Sequence, residues 1–125
     1  MLVRQRTLII HDGNNEYIDD LRNQFSDHQF DLCSEKETVT EAVLRVNPTI
    51  ALAFRSGRFP GPSHAPILSA PNIKWFQSGG SGIDHLPYWD FEKIAVTNAA
   101  GVSGKYMAET VTGAILMMNY GFPKL

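Results

Sequence analysis

A doubly wound α/β fold with about five parallel strands is predicted by three features of the sequence. Short apolar runs alternate with segments whose apolar residues recur at helical spacing, the pattern of successive βα units. One run, Thr49 to Phe54, is almost wholly apolar, as expected of a strand covered on both faces. Connections rich in Gly, Pro, Ser and Asn separate the runs.

Taken in order, Thr7-Leu8-Ile9-Ile10 reads as a buried strand, and His11 to Asn15 as the turn that leaves it. Tyr17, Ile18, Leu21 and Phe25 share one face of a helix over residues 16 to 26. Phe30, Leu32 and Cys33 mark a second strand. Val39, Ala42, Val43 and Val46 form the apolar face of a helix from Thr38, which Pro48 ends. The third strand, Thr49 to Phe54, leads into a loop from Arg55 to Pro66, with a helical turn at Ile67-Leu68. Ile73 to Gln77 is the fourth strand and Ser78 to Gly82 a glycine-rich turn. A broken aromatic connection over residues 84 to 91 precedes the fifth strand, Ile94 to Thr97. From Met107 the chain turns apolar and helix-favouring through Met118. Right-handed crossovers then favour the flavodoxin-like strand order 2-1-3-4-5.

At 125 residues and 43% hydrophobic, the chain is about one domain with enough apolar surface for a core. A net charge of -2 gives no reason to expect nucleic acid or an anionic membrane as partner. No apolar run approaches the roughly 20 residues of a membrane span, and the start does not resemble a signal peptide. A cytoplasmic protein is expected. The single cysteine, Cys33, excludes an internal disulfide and reads as a small core residue. His11, His28, His64 and His85 lack metal-ligand spacing and read as surface or turn residues. Tyr88, Trp89 and Phe91 read as a hydrophobic lid on the sheet.

In open α/β sheets ligands bind beyond the carboxyl ends of the strands. The turn Ser78-Gly79-Gly80-Ser81-Gly82-Ile83-Asp84 leaves such an end. Its glycines permit positive φ and close backbone approach. Successive amides there can form an anion site, with Ser81 and Gly82 as the expected donors to a small carboxylate. A ligand-free tight loop fits the spacing equally well. The turn is not a dinucleotide fingerprint, because the third glycine and an immediate long helix are both missing. Arg55 sits where the third strand ends and can pair with a carboxylate, or simply be a solvated loop charge. Lys105 is a weaker cation candidate. Asp84 is expected to hydrogen-bond the loop backbone rather than to act in a relay with His85.

Residues 73 to 118 resemble the D-isomer-specific 2-hydroxyacid dehydrogenases. The similarity runs through Ile73-Lys74-Trp75-Phe76-Gln77, the glycine turn to Leu86, Ile94-Ala95-Val96-Thr97-Asn98, Gly101-Val102-Ser103 and Met107-Ala108-Glu109, in that order and spacing. The first 55 residues are similar only in pattern, with Arg55-Ser56 looking like the pair found after the third strand in several members. The chain departs from the family at Ala108-Glu109-Thr110, where Ala-Glu-His is common.

The resemblance implies a flavodoxin-like substrate domain, incomplete over residues 1–103. Residues 104–125 would form a crossing helix toward a Rossmann domain that this sequence does not contain. It implies substrate binding by Gly80, Ser81, Gly82 and Ile83, with Arg55 a further contact and Ser103 near the cofactor. The activity implied is NAD- or NADP-dependent interconversion of a D-2-hydroxy acid and its 2-keto acid by hydride transfer, in a homodimeric oxidoreductase. No catalytic residue is assigned within these 125 residues, because the family's arginine, carboxylate and histidine follow the crossing helix. The chain alone is therefore expected to be inactive and to bind no cofactor or metal. Its apolar last helix is expected to favour self-association. The alternative expectation is a non-catalytic flavodoxin-like module that binds a small carboxylate. A receiver domain is disfavoured because the third strand ends in Phe54-Arg55 and not in an aspartate. A flavin carrier is disfavoured because no phosphate loop follows the first strand.

Overall fold

The computed structural model describes residues 4–12 and 16–121. The predicted turn residues Gly13, Asn14 and Asn15 lie outside the described residues, as do residues 122–125. Five strands form one all-parallel sheet: β1 (Arg6–Ile10), β2 (Gln29–Leu32), β3 (Ile50–Ala53), β4 (Trp75–Ser78) and β5 (Ala95–Thr97). Their order is β2-β1-β3-β4-β5, the flavodoxin-like arrangement. The helices are α1 (Glu16–Gln24), α2 (Val39–Val46), α3 (Ala65–Leu68) and α4 (Gly104–Asn119). A 3-10 turn at Gly61–His64 runs directly into α3.

Strand register places Leu8, Ala51, Phe76 and Val96 side by side across the sheet. That row faces the main core, where it meets Val39, Ala42, Val43 and Val46 of α2 and Ile67 and Leu68 of α3. Cys33 lies in the same core. Ile9, Leu52, Gln77 and Thr97 occupy the next row, whose side chains point to the other face because strand side chains alternate. There Ile9 is fully buried and Leu52 only partly so. β3 is thus covered on one face and half-open on the other, not covered on both as its composition suggests.

α2 shows how closely local sequence sets an element. Thr38 adopts extended backbone, its side chain accepts from the Glu41 amide, and the Glu41 carboxylate accepts from the Thr38 amide at 2.7 Å. This capping box satisfies two otherwise orphaned helix-start donors. At the other end Asn47 takes the left-handed conformation (φ 47°) and donates its amide to Val43 O, and Pro48 forbids continuation. Thr38→Ala is expected to cost about 1 kcal/mol of stability. A thermal melt unchanged from the parent would remove the cap from the account.

Candidate functional site

The carboxyl ends of β4 and β5 build the site. Gly79 leaves β4 with its amide donating to Ala53 O at 2.8 Å. The Phe54 ring lies so close that a Cβ on residue 79 would run into it, so glycine is required there for approach. The positive φ that these glycines permit is not used in this turn: the described glycines with left-handed φ are Gly101 (82°) and Gly121 (67°). The glycines of the turn serve close packing and open space, and Gly80 has no atom near its would-be Cβ.

The turn is tied down through its carbonyls. Gly80 O accepts from the Ala99 amide at 2.9 Å, and Ser81 O from Asn98 Nδ2 at 2.9 Å. Gly82 O accepts from Ser78 Oγ at 3.4 Å, and Ile83 O from the Leu86 amide at 3.1 Å. Among the described residues, no carbonyl or side chain accepts from the amides of Ser81 or Gly82. Both residues are exposed at the rim. Amides left open beside bonded carbonyls form a partial positive charge suited to an anion.

Beside this turn lies a cleft of about 380 Å³ between Gly80 and Ser81 on one side and Ala99, Val102, Ser103 and Met107 on the other. Its lining is small and polar near the turn and apolar toward α4, which suits a short acid with an apolar substituent. None of its lining side chains is titratable, so the cleft can hold and orient a ligand but cannot itself transfer a proton.

The cleft therefore brings together Gly80, Ser81 and Ser103 of the expected set. Gly82 and Ile83 continue the same exposed turn outside the cleft wall, with Ile83 38% exposed. Arg55 is exposed beyond β3, makes no ion pair among the described residues and does not line the cleft. Lys105 reaches Glu109 at 3.9 Å along α4. Asp84 forms no hydrogen bond to the loop backbone among the described residues, so the anchoring role expected of it falls to Asn98. The sequence offered one signal for Asn98: a polar side chain directly after a strand, at the rim where ligands bind.

Two further expectations are corrected. His64 lies in the 3-10 turn, as the turn reading has it, but is fully buried and not at the surface: its ring packs 5.9 Å from Phe76 and 6.0 Å from His85, and neither ring nitrogen has a hydrogen-bond partner. The aromatic lid reduces to Trp89, which packs against the core, while Tyr88 and Phe91 point into solvent.

Among the described residues no group of three or more His, Cys, Asp or Glu could hold a metal ion. No described helix is long and apolar enough to cross a membrane. The glycine turn runs into irregular chain and not into a helix, so it lacks the helix start that holds a dinucleotide's pyrophosphate. The described residues of this turn do not fit a nicotinamide dinucleotide. The fold is a flavodoxin-like α/β sheet with an anion-suited turn at its carboxyl rim. The chain matches no family model and no curated protein.

Proposed function

We propose that this chain is the substrate-domain portion of an NAD(P)-dependent oxidoreductase acting on a D-2-hydroxy acid and its 2-keto acid. Its own role is to grip the acid's carboxylate with the amides of Ser81 and Gly82. The observation that carries this reading is the asymmetry of the turn: carbonyls bonded within the protein, amides open at the rim. The cleft toward Ser103 and Met107 then receives the carbon end of the acid. Arg55 supplies long-range attraction, since an exposed cation near the rim raises the local anion concentration. Hydride transfer and proton transfer belong to groups outside these residues, and this chain contributes position alone.

Titration with pyruvate, followed by amide resonances in a proton–nitrogen correlation spectrum, tests the reading. Saturable shifts confined to Gly80 through Ile83 and Ser103 are expected. Ser81→Pro, which deletes one donor, is expected to weaken binding about tenfold, in line with the loss of one charge-assisted hydrogen bond. Saturable shifts located elsewhere, or none at all, would discard the cradle.

A further inference from the structure

We infer that His64 and His85 form a binding site for a monovalent copper ion, held between their two imidazoles. Neither ring takes part in the carboxylate cradle, so the site does not depend on that reading.

The two imidazoles lie side by side with their nitrogens unused. His64 closes the 3-10 turn, is 0% exposed, and has both ring nitrogens shut off from water without a hydrogen-bond partner. Buried polar atoms are almost always bonded, because an unpaired one loses its hydration for no return. The His85 ring is half-buried on the connection that follows the glycine turn, and it makes no hydrogen bond among the described residues. The ring centres are 6.0 Å apart and the ring planes are inclined by 72°. Backbone packing sets this pairing. A Cβ on residue 61 would run into the carbonyl oxygen of His85, so glycine is needed there to bring the 3-10 turn so close to that connection.

Spacing and surroundings together select the ion. Two imidazoles that each hold a metal through one nitrogen at about 2.0 Å have centres roughly 5 Å apart at a tetrahedral angle and about 6 Å apart in a line. The observed 6.0 Å belongs to the wide-angle end. Among the described residues no third His, Cys, Asp or Glu joins the pair. Zinc, which takes four ligands, is poorly served by that set. Monovalent copper, with its filled d shell, accepts two nitrogens in a line, and imidazole is among its ligands. The Phe76 ring lies 5.9 Å from His64, so the ion would sit against apolar surface, where a single charge costs less to bury than a double one. Burial and the neighbouring His85 lower the His64 imidazole to about 4, which leaves it neutral and able to ligate at neutral pH. Cys33, the single thiol of the chain, lies in the main core, where burial pushes its thiol up and keeps the proton on. Copper between the rings would brace the connection after the glycine turn against the 3-10 turn.

Anaerobic titration of the chain against bicinchoninate, which forms a coloured complex with monovalent copper, tests the site. The protein should withdraw one copper per chain. Of its four histidines, only His64 and His85 should show shifted ring proton resonances. X-ray absorption should report a two-coordinate ion with nitrogen neighbours. His64→Leu and His85→Ala should each weaken binding by at least about 100-fold, more than the loss of an outer-shell partner. Far-ultraviolet circular dichroism should stay unchanged, and His85→Ala guards against a fold defect because that ring is only half-buried. Cys33→Ala and His28→Ala should bind copper as the parent does. Copper retained by His64→Leu, copper lost in Cys33→Ala, a four-coordinate ion, or no copper withdrawn at all would each overturn the proposal. The first of these outcomes would mark adventitious surface binding, and the second a thiolate site. Pyruvate shifts at Ser81 and Gly82 are read without copper, so the cradle and the copper site can fail independently.

Discussion

Phe76→Ala is expected to destabilise the chain by about 3–5 kcal/mol, the range for emptying a large buried aromatic site. Phe76 is fully buried at the centre of β4. It stands between Ala51 on β3 and Val96 on β5, with the His64 ring 5.9 Å from its own. Ala51 cannot expand to fill the space, while α2 is held by its contacts with β1, and α3 by its contacts with α2 and the 3-10 turn. The cavity therefore persists, and its cost adds to the lost transfer energy. For a domain whose whole stability is of the order of 5–15 kcal/mol, such a variant stands close to the threshold of folding. Urea unfolding of parent and variant measures the difference. A loss below about 1 kcal/mol would mean that this part of the core collapses on itself.

Acid is expected to weaken the fold through His64. Burial, reinforced by the neighbouring His85, lowers the His64 imidazole from its ordinary 6.5 to about 4. The unfolded chain takes up the proton first, so His64 favours the folded state fully above about pH 6.5. That contribution is lost as the pH falls toward 4 and then levels off, because below 4 both states are protonated. The gap corresponds to about 3 kcal/mol over that window. Glu37 adds a separate loss at more acidic pH: hydrogen bonding from Arg45 holds its carboxyl below the usual range. His64→Leu separates the two. At pH 7 the exchange should be near neutral, since the lost ring packing is offset by removing a polar ring with no partner. At pH 4.5 the variant should be the more stable by about 2–3 kcal/mol. Parallel stability–pH curves for parent and variant would refute the account.

The elements that could be read from the sequence are those whose signal is local. α2 carries its own start in Thr38 and Glu41 and its own stop in Asn47 and Pro48. The strand order follows from alternating elements and crossover handedness, without knowledge of any particular contact. Edges moved where pairing and burial part company: Ile73 is buried in the core, yet the β4 ladder starts at Trp75. The glycine turn was legible as a turn because three glycines in four positions break a strand, although a ligand-free loop fits the same spacing equally well. Its anchorage was not, because Asn98 reaches Ser81 across 17 residues of chain and no local pattern marks that bond. His64 was misread for a similar reason. It sits in a Pro- and Ser-rich stretch without periodicity, and its burial comes from Phe76 and His85, brought there by the fold. The open half of β3 was missed because composition reports how apolar a strand is, not whether a second layer arrives to cover it.

The bonds from Asn98 and Ala99 to the glycine turn couple the rim to α4 mechanically. Gly101, in the left-handed conformation, lies between those bonds and the helix. The helix is about 24 Å long, and the segment just before it is tied to the carbonyls of Gly80 and Ser81. A shift of the helix root would reach Gly80 and Ser81 through those two bonds, so whatever grips α4 also has a hand on the anion grip.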